Sequence, residues 1–199
     1  MATPKQMYYE KRGELLVKNL KSRHFGACYC ATKEEALQAA LNLIPEGSKV
    51  GWGGATSAQE IGLFSALEKG NWNAVGRETA GGVDVFITGA NALSMEGEMV
   101  NIDGFGNRVS AIICGPKTVV VIAGMNKVMD TLEDAVQRAR TVAAPTNVQR
   151  LQKATPCMAT GTCHNCKSED CICNHIVITR HGRPNGRIQF VLVGEDLGF

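Results

Sequence analysis

Lys117-Thr-Val-Val-Val-Ile-Ala123 is apolar after its first two residues and rich in β-branched side chains. A strand with one wet face alternates polar and apolar residues. One this uniformly apolar is covered on both faces, as in a parallel sheet between helix layers. Upstream, Val83-Asp-Val-Phe-Ile-Thr88 and Lys49-Val-Gly-Trp52 read as further strands, and Phe25 to Ala31 as an early one. In that early strand Cys28 and Cys30 share a face. Downstream, His175 to Thr179 and Arg187 to Val193 complete the set.

Helical patterns separate these strands. Tyr8, Leu15, Leu16 and Leu20 recur at near-helical spacing. Thr32-Lys-Glu-Glu35 is a capping box opening a helix with Ala36, Leu37, Ala40, Leu41 and Ile44 on one side, ending at Pro45. Ser57-Ala-Gln-Glu60 repeats the device ahead of Ile61, Phe64 and Leu67, up to Gly70. A long helix is expected from Gly124-Met-Asn126 to about Ala144, with Val128, Leu132, Ala135, Val136, Ala139 and Val142 as its apolar stripe. Arg138 and Arg140 suit its C-terminal dipole. Strand–helix alternation predicts an α/β fold with a largely parallel sheet. Residues 1–199 read as one domain, with a cysteine-rich segment at 155–174 inserted before the last strands.

Composition narrows the function. With 44% hydrophobic and 20% charged residues, the chain is neither disordered nor fibrous. Its 21 basic and 19 acidic residues give no electrostatic reason for a nucleic-acid or membrane-surface partner. No stretch approaches the ~18 apolar residues of a membrane span. The N-terminus lacks the apolar core of a secretory signal. The expected compartment is the cytoplasm, where thiols stay reduced.

Eight cysteines are many for such a chain, and five of them, Cys157, Cys163, Cys166, Cys171 and Cys173, fall in one segment. Crowded thiols in a reducing compartment point to metal before disulfide. Thiolates suit an iron–sulfur cluster, or zinc as the alternative. Cys163-His-Asn-Cys166 is a chelating turn, Gly161 lets the chain bend toward Cys157, and Cys171 or Cys173 completes four ligands. His164 reads as an outer neighbour. Cys28, Cys30 and Cys114 read as small buried hydrophobes.

Two further stretches carry polar chemistry. Gly51-Trp-Gly-Gly-Ala-Thr-Ser57 joins a strand to a helix, so Gly53, Gly54, Thr56 and Ser57 are candidate contacts for a small anionic ligand. It matches neither a P-loop nor a dinucleotide fingerprint. Between Asn91 and Arg108, Glu96-Gly97 reads as a hairpin turn, Met99 to Ile102 as a strand and Asp103-Gly-Phe-Gly-Asn107 as a loop. Asn91, Glu96, Asp103, Asn107 and Arg108 join the ligand-binding candidates, Arg108 as a bidentate clamp on a carboxylate or phosphate. Lys127 is a third candidate for the same anion, although a lone lysine is more often solvated.

Several of these stretches resemble the LUD-domain (lactate utilisation protein) family. They are Val50-Gly-Trp-Gly-Gly-Ala-Thr-Ser-Ala-Gln-Glu-Ile-Gly62, the run from Asp84 to Val109, Gly115 to Lys127, and Val193-Gly-Glu-Asp-Leu-Gly-Phe199. The likeness spans nearly the whole chain and is nearest to a branch carrying the C-terminal cysteine cluster. It implies a three-layer α/β/α fold similar to the sugar-phosphate isomerase and CoA-transferase group, and a link to oxidation of lactate or a related 2-hydroxy acid. The branch pattern implies Cys157, Cys163, Cys166 and Cys173 as metal ligands, with Cys171 extra. The chain departs from its relatives between Arg77 and Val83, where Glu-Thr-Ala-Gly-Gly replaces a longer helical segment. The resemblance supplies no catalytic set.

The first expectation is therefore a protein that binds a small anion and a thiolate-held metal centre, passing electrons to redox partner proteins. The alternatives are a transferase or ligase for a phosphate- or CoA-bearing substrate with structural zinc, using Glu96 or Asp103 as acid, base or nucleophile, and a non-enzymatic assembly or regulatory subunit.

Overall fold

The computed structural model describes residues 2–76 and 82–199. The short connection singled out between Arg77 and Val83 lies, over 77–81, outside the described residues.

Six parallel strands form the main sheet: β1 (Gly26–Cys30), β2 (Lys49–Gly53), β3 (Asn73–Gly76), β4 (Val85–Gly89), β7 (Thr118–Gly124) and β10 (Ile188–Val193), in the order β1-β10-β7-β4-β2-β3. A second sheet holds β5 (Ala92–Ser94), β6 (Met99–Asp103), β8 (Val128–Met129) and β9 (His175–Thr179), in the order β8-β5-β6-β9.

The Lys117–Ala123 stretch is β7, hydrogen-bonded between β4 and β10. Its side chains alternate between two cores. Val119, Val121 and Ala123 pack with α1 (Pro4–Ser22) and α5 (Asn107–Cys114), while Val120 and Ile122 pack with α2 (Lys33–Asn42), α3 (Thr56–Glu60) and α4 (Leu63–Lys69). All five are fully buried, and the three valines and Ile122 each contribute roughly 1.5–3 kcal/mol of apolar burial. That two-sided burial is why the strand shows no polar alternation. A third, smaller core joins the second sheet to α6 (Leu132–Arg138) and the start of α7 (Ala144–Leu151). The cysteine segment begins with the short α8 (Pro156–Thr160).

Several expectations are corrected. The strand at His175–Thr179 pairs antiparallel with β6 in the second sheet, which places Asp103 opposite His175. The long helix starts after Thr131, whose hydroxyl accepts from the Asp134 amide at 3.1 Å; Met125–Lys127 ahead of it is a single 3-10 turn. It also runs on to Leu151, through a π turn at Ala139–Ala143 just before Pro145. Proline lacks an amide and crowds the preceding turn, so the regular ladder cannot pass through it, and the wider turn accommodates the break.

Ser57 is not a cap but the second residue of α3, and the helix expected up to Gly70 breaks at Gly62, where φ is +79°. The Thr32 cap forms, yet the Glu35 carboxylate reaches the Ala31 amide rather than that of Thr32. On α1, Leu16 and Leu20 are buried while Tyr8 and Leu15 lie exposed. Cys114 is exposed, not buried. Among the described residues no helix is long and apolar enough to cross a membrane.

Candidate functional site

The chain leaves β2 to form β3 on one side and returns to form β4 on the other. Such a reversal opens a crevice at the carboxyl ends of the strands, the favoured ligand position in open α/β sheets. The loops that follow β2, β4, β6 and β7 bring Gly53, Gly54, Ser57, Asn91, Asp103, Arg108 and Lys127 to this edge.

Arg108 stands in the first turn of α5. Its Nη2 donates to Asn91 Oδ1 at 3.0 Å and to the Ile102 carbonyl, and its Nε lies 3.7 Å from Asp103 Oδ2. The Asp103 carboxylate also accepts from the amides of Phe105, Gly106 and Val109, which fixes the loop between β6 and α5. Burial lowers the Arg108 pKa, and Asp103 opposes that shift. An arginine nevertheless stays charged at any ordinary pH.

Lys127 is 4% exposed, and its Nζ donates to Ser57 Oγ at 3.0 Å. Burial, with repulsion from Arg138 and Arg108 outweighing the pull of Glu60, brings its pKa down to about 7. Arg138, at the end of α6, donates from Nη1 to the Asn91 carbonyl at 2.6 Å and from Nε to the Asn126 carbonyl at 3.2 Å. Arg108 Nη1 and Arg138 Nη2 take no part in these bonds. The C-terminal segment crosses above: Asn126 Oδ1 accepts from the Leu197 amide at 3.1 Å, and the Gly198 amide donates to Glu60 at 2.8 Å. Fully buried Asn101 donates to the Gly89 carbonyl, while its Oδ1 has no partner among the described residues.

The other candidates fall differently. Gly53 ends β2, its carbonyl accepting from Thr88 Oγ1 at 3.0 Å, and Thr56 opens α3 half-buried. Asn107 is exposed and its side chain bonds the Arg108 amide. Glu96 is not brought to this edge; it sits exposed on the β5–β6 hairpin, 3.8 Å from Arg23. Arg138 and Asn126 were missed. Arg138 could have been found from its flanks, because Ala135 and Ala139 place it beside a buried stripe, where an arginine needs buried acceptors.

Gly54 has φ +58°, and an added Cβ would meet Arg108 Cδ, Nη1 and Nε at 3.0–3.2 Å. Gly54→Ala is expected to cost about 1–2 kcal/mol for the left-handed backbone, plus displacement of Arg108. Urea unfolding checks this, and unchanged stability would place Arg108 elsewhere.

The cysteine segment forms a second centre. Cys157, Cys163, Cys166, Cys171 and Cys173 all line one cavity of about 290 Å³, walled on its apolar side by Ala144, Pro145, Val148, Ile172 and Ile176. Cys157 lies 3.2 Å from the Thr155 hydroxyl, and the Cys173 amide donates to Cys171 Sγ at 3.4 Å. Gly161 (φ +71°) and Asn165 (φ +51°) turn the chain around Cys163 and Cys166. Arg140 donates to Asn165 at 2.9 Å, and the His164 ring meets Thr160 at 2.8 Å. Burial first, then the neighbouring Cys171, Cys163 and Cys157, push the Cys173 thiol up to about 12. Amide and hydroxyl contacts of Ser168 lower the Cys166 pKa.

The donor set is sulfur with one flanking imidazole and no carboxylate, which fits a soft metal or an iron–sulfur cluster and not a hard ion. Among the described residues, no three His, Cys, Asp or Glu side chains stand together as a ready-made metal site.

The structure is that of an α/β protein with buried cations gathered at the carboxyl edge of a parallel sheet. A family model of the LUD domain matches residues 13–193. The chain belongs to the LUD domain family, which is associated with lactate utilisation. Among solved structures, a DUF162 family protein from Deinococcus radiodurans is similar at TM-score 0.54 and 11% identity, covering 94% of this chain and 97% of that one. This likeness is one of fold. A D-ribose-5-phosphate isomerase in complex with phospho-erythronic acid aligns over 50% of this chain and 54% of its own, at 23% identity and TM-score 0.36. No curated protein matches the chain.

Proposed function

We propose that the protein binds a small organic anion of the 2-hydroxy acid class at the carboxyl edge of the main sheet. Beside it, Cys157, Cys163, Cys166 and Cys173 would hold an iron–sulfur cluster. The observation that carries this reading is that cysteines as distant in sequence as Cys157 and Cys173 line one cavity without a carboxylate. When bound, such a cluster supplies one-electron transfer, and a redox partner protein is the implied recipient.

The protein's own residues do the rest. Arg108 and Arg138 orient the anion, and the Leu197–Gly198 segment packs over Lys127 and Ser57. The β6–α5 loop spans both centres. Asp103 pairs with Arg108, while Gly104 packs against Ile172 and accepts a hydrogen bond from Asn174 at 3.0 Å.

Oxygen-free purification, or reconstitution with iron and sulfide, is expected to give a coloured protein with a charge-transfer absorption band. Cys163→Ser with Cys166→Ser is expected to abolish the band, and Cys171→Ala to keep it. Colourless, iron-free protein after reconstitution would overturn the cluster, and stoichiometric zinc would favour the structural-zinc alternative. For the anion, lactate at a hundred times its Kd is expected to stabilise the fold by about 2.7 kcal/mol, read as a shift in thermal unfolding.

A further inference from the structure

Buried lysines ordinarily answer to a carboxylate. The Lys127 amine answers instead to a hydroxyl, Ser57 Oγ at 3.0 Å. The Gly198 backbone passes directly over this pair, since a Cβ there would stand 3.1 Å from both Nζ and Oγ. The charged groups acting on the amine are Arg138 and Arg108, which repel a positive charge, and Glu60, which attracts it. Asp103 is engaged by Arg108 and by three backbone amides.

We propose that Lys127 is a nucleophile that condenses with the carbonyl of a small anionic aldehyde or ketone, with the Ser57 hydroxyl relaying the proton. This inference rests on the anion-binding reading above and takes the ligand in its carbonyl form, as the 2-oxo acid that oxidation of a 2-hydroxy acid yields.

An amine is nucleophilic when burial and neighbouring cations favour its neutral form. Here those cations are the same arginines that would hold the ligand's carboxylate or phosphate. One arrangement therefore frees the amine and delivers the carbonyl to it. Ser57 could instead serve as nucleophile with Lys127 as base, since the same cations would free the amine for that role; only attack by Lys127 gives an imine that a hydride donor can trap on nitrogen.

The step is balanced without an oxidant. The Nζ lone pair forms a bond to the carbonyl carbon, and the C=O π pair moves to oxygen. Ser57 carries the amine proton to that oxygen. The hydroxyl so formed takes one further proton from solvent, the C–O bond breaks, water leaves, and a protonated imine remains, which water returns to amine, carbonyl and that proton.

The test treats the full-length protein with pyruvate or with glyceraldehyde 3-phosphate, one carboxylate and one phosphate source, and with acetone as the neutral control. Sodium cyanoborohydride adds hydride to the imine carbon and makes the link permanent, and peptide mass mapping locates it. The expected result is a secondary amine at Lys127 with one or both anionic probes and little with acetone, lost in Lys127→Arg. Ser57→Ala is expected to slow the reaction about a hundredfold. Modification confined to other lysines, or equal for acetone, overturns the proposal. So does unchanged labelling in Lys127→Arg. Calorimetry with the same probes separates the two readings. Binding without an adduct removes the nucleophile and keeps the anion site, whereas neither binding nor adduct removes both.

Discussion

Arg23→Met is expected to destabilise the protein by about 3–5 kcal/mol, the range for stripping one partner from a buried ion pair. Arg23 follows α1, and its Nη2 donates to Glu98 Oε1 at 2.6 Å. The side chains are 16% and 5% exposed, so solvent screens the pair little. Arg23 also reaches the Glu96 carbonyl at 2.5 Å and the Arg180 carbonyl at 3.3 Å, tying α1 to the β5–β6 hairpin and to the end of β9. The other oxygen of Glu98 accepts the Ser94 hydroxyl, and Ser94 Oγ accepts the Glu98 amide at 3.0 Å. Removing Arg23 therefore leaves a carboxylate fixed in place, buried and without its cation. Adding Glu98→Gln to Arg23→Met should recover part of the loss, because a neutral amide can keep a bond to Ser94. Urea unfolding of the two variants checks both statements. A loss below about 1 kcal/mol, the range of exposed ion pairs, would mean that water reaches Glu98.

The main sheet was legible because its signal is local. Each of Val119 to Ala123 is buried on one side or the other, so a window of seven letters carries the whole pattern. The second sheet was not. Ile176-Val-Ile178 has the same local character as a main-sheet strand, and only its distant pairing with Met99–Asp103 assigns it elsewhere. Its open edge also leaves Ile176 and Ile178 at 44% and 41% exposure, which no neighbouring residue signals.

The candidate site divides the same way. The crowding of thiols was readable from spacing, whereas Ala144, Pro145 and Val148 join their cavity only because the helix continues past its expected end through the π turn. Ser57-Ala-Gln-Glu60 has the letters of a capping box, but its hydroxyl is taken by Lys127, 70 positions away, and its carboxylate by Gly198. Local motifs state what a side chain can do, and tertiary contacts decide which option is used. Lys127 shows this most clearly: nothing within a few residues of it tells a solvated lysine from a buried one.

Lys127→Met is expected to make the protein more stable at pH 6 and to lose that advantage as the pH rises to 9. The folded-state pKa is lowered to about 7 from the ordinary 10.5, by burial first and then by Arg138, with Arg108 adding to it. Between those two values the unfolded chain binds a proton that the folded chain does not, so stability rises with pH across that window. Below about pH 7 both states carry the charge, and folding bears the full cost of burying it. The slope for one such group is about 1.4 kcal/mol per pH unit. At pH 7 the folded-state amine is half titrated, so from pH 7 to 9 the wild type should gain about 2 kcal/mol relative to the methionine variant. Cysteine and tyrosine groups that titrate in the same range are common to both proteins and cancel in the difference. Urea midpoints for the two proteins at pH 6, 7, 8 and 9 decide the matter. A difference independent of pH would mean that Lys127 stays charged throughout, and an amine held as ammonium at neutral pH could not attack a carbonyl.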